Sequence, residues 1–118
     1  MEVYYHGRCF YLDGSGGRCE SGYELAPQSV LSTIASDFGG KTYKNQTSDD
    51  CCIFHSDMVT ENYGWRMPSS VCNAQGQFTA VPVQQSCTQT QSSRNQLTLC
   101  MLEKAVTGEC FLEIKTSY

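Results

Sequence analysis

The 118-residue chain reads as a small α+β domain rich in disulfides, with one helix over about residues 27–38, strands and hairpins towards both ends, and a long crosslinked loop region between. Three observations predict this. Eight cysteines, an even number, are spread along the chain. Val30, Leu31, Ile34, Ala35 and Phe38 recur at helical spacing. The two ends carry aromatic and branched residues in strand-like runs, whereas the middle third is rich in Thr, Ser, Asn, Gln and Gly. A length of 118 residues suits a single domain, residues 1–118.

Val3 to Leu12 is dense in aromatics and predicts a strand, and Asp13-Gly14-Ser15-Gly16-Gly17 supplies turn residues before Cys19. The glycine cluster lacks the Gly-Lys-Ser/Thr ending of a phosphate loop and the three-glycine dinucleotide fingerprint. Pro27 then sits where the first helical turn tolerates it, and Gly39-Gly40 stops the helix. Its apolar stripe is core. From Lys41 to Gln96 the pattern loses period, with short apolar pieces at Cys52-Ile53-Phe54 and Phe78 to Val83. A stretch of this length needs crosslinks or a function to keep its shape. Gln96 to Leu102 and Cys110 to Ile114 are strand-like again, and Lys104 to Gly108 predicts a turn between them.

Cys9, Cys19, Cys51, Cys52, Cys72, Cys87, Cys100 and Cys110 include no Cys-x-x-Cys pair, and His6 and His55 are the only histidines, so the set does not resemble a zinc framework. Disulfides in an oxidising compartment are the expectation, hence a secreted or cell-surface protein. Adjacent Cys51 and Cys52 would not bond each other without straining the peptide between them. With both terminal hairpins closed locally, the expected pairs are Cys9–Cys19 and Cys100–Cys110, and Cys51 and Cys52 take Cys72 and Cys87 in either order.

A formal charge of −4 argues against a nucleic-acid partner, which wants clustered Lys and Arg. No apolar run reaches the roughly 18 residues of a membrane helix, so no membrane insertion is expected. Met1-Glu2-Val3-Tyr4-Tyr5 lacks the character of a signal peptide, which predicts a mature chain or an excised domain with an added Met. Asn45-Gln46-Thr47 is a glycosylation sequon suited to a surface loop.

The order strand, helix, crosslinked loop, closing strands resembles the C-type-lectin-like fold. Gly17-Arg18-Cys19-Glu20-Ser21-Gly22-Tyr23-Glu24-Leu25-Ala26-Pro27 is also similar to the Cys-x-x-Gly-aromatic-x-Leu segment that precedes the first helix in some bacterial surface modules of that type. The resemblance implies that terminal strands pair and that the irregular loops carry recognition. The Glu-Pro-Asn, Gln-Pro-Asp and Trp-Asn-Asp signatures of calcium-dependent sugar binding do not occur here.

The most chemically varied window runs from Asp49 to Arg66. Asp57, Glu61 and Asn62 can hydrogen-bond hydroxyl pairs, Tyr63 and Trp65 offer flat faces, and Arg66 offers a fork of donors, together a candidate ligand-binding set. The alternative is that Trp65 and Phe54 pack beneath the loop. No cofactor is expected; were Ca²⁺ held, Asp49, Asp50 and Asp57 would supply its oxygens. His55-Ser56-Asp57 contains triad residue types, but neighbours in sequence do not adopt triad geometry, and paired acids such as Asp57 and Glu61 lack an evident cleft. The sequence therefore predicts no enzyme. It predicts an extracellular recognition or adhesion module for a glycan or surface protein. The rivals are a structural subunit that assembles as a homo-oligomer or filament, and a small secreted inhibitor or toxin.

Overall fold

The computed structural model of the chain describes residues 2–41, 48, 50–57, 64–68, 77–85, 95–107 and 110. Among the described residues there are seven strands, six of them arranged around one that touches three others. The strands are β1 (Val3–Tyr5), β2 (Arg8–Asp13), β3 (Tyr23–Leu25), β4 (Asp50–Phe54), β5 (Gly64–Arg66), β6 (Val83–Gln85) and β7 (Gln96–Leu102), in the spatial order β1-β2-β7-β4-β5-β6. One edge of β7 pairs antiparallel with β2, Tyr11 opposite Cys100 and Asp13 opposite Thr98. Its other edge is shared. The first half runs parallel to β4, and the second half pairs antiparallel with β3, Leu25 opposite Cys100.

Alternation along β2 and β7 sends successive side chains to opposite faces of the sheet. Phe10, Leu12, Leu97 and Leu99 face the main core with Val3, Leu31, Ile34, Phe38, Ile53, Met67 and Phe78, all nearly inaccessible. Cys9, Tyr11, Asp13, Thr98 and Cys100 take the rear face by the same register. That face is buried too. Two irregular segments cover it. Residues 16–20 lie against it through Gly16 N–H to the Gln96 carbonyl (3.0 Å), Gly17 N–H to Thr98 Oγ1 (2.8 Å), and Glu20 N–H to the Tyr11 hydroxyl oxygen (3.0 Å). Residues 103–107 are held by Glu103 N–H to the Gly22 carbonyl, Val106 N–H to the Gly7 carbonyl and the Tyr4 hydroxyl to the Val106 carbonyl, and Val106 joins Cys9 and Cys110 in a small second cluster.

Each covering segment is fastened by one disulfide, Cys19–Cys100 and Cys9–Cys110. The expected local pairs Cys9–Cys19 and Cys100–Cys110 are thus corrected. Strand pairing between β2 and β7 sets Cys9 and Cys100 on one face, where each meets a segment crossing over it and not its sequence neighbour. Cys110 is helical where a strand was expected, while 111–114 lie outside the described residues. Cys51 and Cys52 are disulfide-bonded as well, to partners outside the described residues.

The predicted first strand is two strands, because His6 and Gly7 (φ 49° and 79°) form a two-residue turn that sets Tyr5 opposite Arg8. The helical segment lies where the apolar stripe places it, but only Leu31–Ile34 is α-helix; Gln28–Val30 and Ala35–Phe38 are 3₁₀ turns. Hydroxyl and carboxylate residues at 29, 32, 33, 36 and 37 compete for backbone groups, as Ser32 Oγ does in donating to the Ser29 carbonyl (2.8 Å). Gly40 (φ 82°) ends the segment and donates its N–H to the Phe78 carbonyl (2.8 Å). The middle third, expected to lack regular elements, contributes three strands, β4 to β6, to the sheet.

Candidate functional site

Of the six residues chosen as a ligand-binding set, Asp57, Trp65 and Arg66 are described, while Glu61, Asn62 and Tyr63 lie outside the described residues. They do not converge on one face. Trp65 and Arg66 are consecutive in β5, so their side chains leave opposite sides of the strand. Trp65 is half-buried and packs against the main core. Arg66 lies opposite Cys52 on one side and Val83 on the other, half-buried, with Nε donating to the Met67 carbonyl (3.4 Å). The outward row across the small sheet β4-β5-β6 is accordingly Cys52, Arg66 and Val83, with Gly64 and exposed Gln85 in the next row. Phe54 is buried, as the packing alternative required.

Asp57 belongs elsewhere. It ends a turn, 55–57, that follows β4 and docks on the start of the helical segment. Ser56 N–H donates to the Ala26 carbonyl (2.9 Å), and Gln28 N–H donates to Asp57 Oδ2 (3.0 Å). Within the turn, Asp57 N–H donates to His55 Nδ1 (3.1 Å), which fixes the proton of the neutral ring on Nε2. His55 is 1 % exposed, and burial holds its pKa below the ordinary imidazole value while the Asp57 carboxylate pulls it partly back up. His55, Ser56 and Asp57 thus make backbone contacts that build a turn. Their side chains do not form a nucleophile, base and orienter relay.

The calcium expectation does not gain a site. Asp49 and the side chain of Asp50 lie outside the described residues, and Asp57 Oδ2 accepts from Gln28 N–H. Among the described residues Glu2, Cys9 and Cys110 bring three ligand-type atoms within 4.8 Å of one another. The two sulfurs are bonded to each other, so they are not metal ligands, and Glu2 Oε1 accepts from the Tyr23 hydroxyl (2.9 Å). Sequence reasoning chose the acids and aromatics of the window and passed over Gln85 and the docking of 55–57 on Gln28. Neither carries a signal in a single sequence, because both arise from elements 20 or more residues apart.

Among the described residues, no helix is long and apolar enough to cross a membrane. No protein-family model, curated protein or solved structure matches the chain.

Proposed function

We propose that the chain is a non-enzymatic extracellular recognition module of C-type-lectin-like fold, which binds a glycan or a surface protein through the small sheet β4-β5-β6 and the loops around it. One observation carries this reading: Arg66, half-buried and outward-facing, is paired in register with disulfide-bonded Cys52. A donor fork fixed beside a crosslink loses little freedom on binding, which is the physical condition for a specific polar contact. All six described cysteines are bonded, which favours secretion into an oxidising compartment. The antiparallel pairing of β2 with β7 and the helical segment after β3 favour the lectin-like layout.

A second reading, a structural subunit, draws on the two ends of the strand order, β1 and β6, as pairing edges. The two separate in one experiment. Glycan-array and cell-surface binding should fall at least tenfold in Arg66→Ala while the thermal midpoint stays within about 2 °C. Binding that is untouched by Arg66→Ala, together with concentration-dependent polymers in size-exclusion chromatography, would overturn recognition in favour of assembly.

A further inference from the structure

We propose that the 55–57 turn is an acid-operated latch on the start of the helical segment, in which the Asp57 carboxylate moves from Gln28 N–H to the imidazolium of a protonated His55. The geometry makes one contact of the turn, Asp57 N–H to Nδ1, incompatible with a protonated ring. In the latched state Nδ1 is an acceptor, taking the Asp57 N–H at 3.1 Å, and Oδ2 of the carboxylate accepts from Gln28 N–H at 3.0 Å. A proton arriving from water must add to Nδ1, because Nε2 already bears one. Nδ1 then becomes a donor facing another donor, and the Asp57 N–H bond is lost. The anion that acts on this ring is the carboxylate of the same turn, and turning it toward Nδ1 draws Oδ2 away from Gln28.

Asp57 is the charged group that acts on the imidazole, and the facing segment Ala26-Pro27-Gln28-Ser29 has no ionisable side chain, nor have Ile53 and Phe54 beside it in β4. Nε2 is buried and has no hydrogen-bond partner among the described residues, so the neutral ring gains little from its surroundings to resist protonation beyond burial itself. The remaining link, Ser56 N–H to the Ala26 carbonyl, is a single bond at 2.9 Å. A helix start tied to a strand end by groups that exchange partners on protonation is a two-state element of the kind pH sensors use.

The test is amide exchange on the full chain between pH 7.5 and 5, read as protection factors so that intrinsic exchange is divided out, with the His55 ring followed by NMR. Protection of Gln28 and Ser56 should drop at least tenfold with the midpoint of His55, while that of Met67, whose N–H is held by the Cys51 carbonyl, stays constant. In Asp57→Asn the side-chain carbonyl still accepts Gln28 N–H but has no charge for the imidazolium, so the His55 midpoint falls and Gln28 stays protected to lower pH. Constant Gln28 protection through the His55 titration overturns the latch. So does joint loss at Gln28 and Met67, which would mean global unfolding, or a His55 that does not titrate before the chain unfolds.

Discussion

Removing the two rear-face disulfides singly and together measures how far chain entropy, and not native contact, explains their effect. The bridges are nested: Cys9–Cys110 spans 101 residues and Cys19–Cys100 spans 81 inside it. Treated alone, loops of those lengths restrict the unfolded chain by about 4.7 and about 4.5 kcal/mol at 25 °C. With one bridge present, however, the second closes only the 20 residues by which the spans differ, which is worth about 3.3 kcal/mol. Removing Cys9–Cys110 alone should therefore cost about 3.3 kcal/mol from chain entropy, Cys19–Cys100 alone about 3.1, and both about 7.8, a coupling of roughly 1.4 kcal/mol. Packing losses from the truncated sulfurs enter the single and double variants alike and cancel in the cycle. The variants are Cys9→Ala/Cys110→Ala, Cys19→Ala/Cys100→Ala and the quadruple, unfolded in urea against a common background of stabilising osmolyte that keeps the weakest one folded. A coupling indistinguishable from zero, or of opposite sign, would refute the reasoning and assign the stabilisation to local native contacts.

Two further outcomes are expected. Gly7 has φ 79°, and a Cβ there would stand 3.5 Å from the Val106 carbonyl oxygen, so Gly7→Ala should cost about 1–2 kcal/mol, read as a lower urea midpoint with unchanged slope. Stability should also fall as pH drops below 6.5. His55 has a lowered pKa in the fold, from burial, so the unfolded chain takes up its proton first; the contribution is complete above 6.5 and is lost as pH falls toward the folded value. Comparing urea midpoints at pH 8 and pH 6 for the natural chain and His55→Gln should give a steeper decline for the natural chain; equal declines would rule the contribution out.

The elements legible beforehand were those with local periodic signals. Leu31, Ile34 and Phe38 mark a buried helical face whose limits, Pro27 and Gly39-Gly40, are also local, and all three residues are core. Gln96–Leu102 alternates between Leu and polar or cysteine residues and is a strand as expected. What escaped was set by distant partners. The hairpin turn at His6-Gly7 lacks the usual Asn or Asp, and the cysteine pairing depends on a register between strands more than 80 residues apart, which spacing does not encode. The candidate site failed as a single face for a simple reason. Trp65 and Arg66 were grouped because they are neighbours in sequence, and neighbours in a strand point apart.

The axial position of β7 governs the order of events during synthesis. The β1–β2 hairpin and the β4-β5-β6 sheet can pair on their own, but until residues 96–102 are made they and β3 have no common strand to join them. Cys9 and Cys19 meanwhile sit together in the emerging polypeptide with neither correct mate available. Short loops of that size close in roughly 10–100 ns, and an oxidising lumen would weld them. Where such an early bridge forms, the native bonds require it to be undone by thiol exchange once Cys100 and Cys110 arrive. A host with an active isomerase, or a redox buffer that keeps exchange open, should therefore raise the yield of correctly bonded chain.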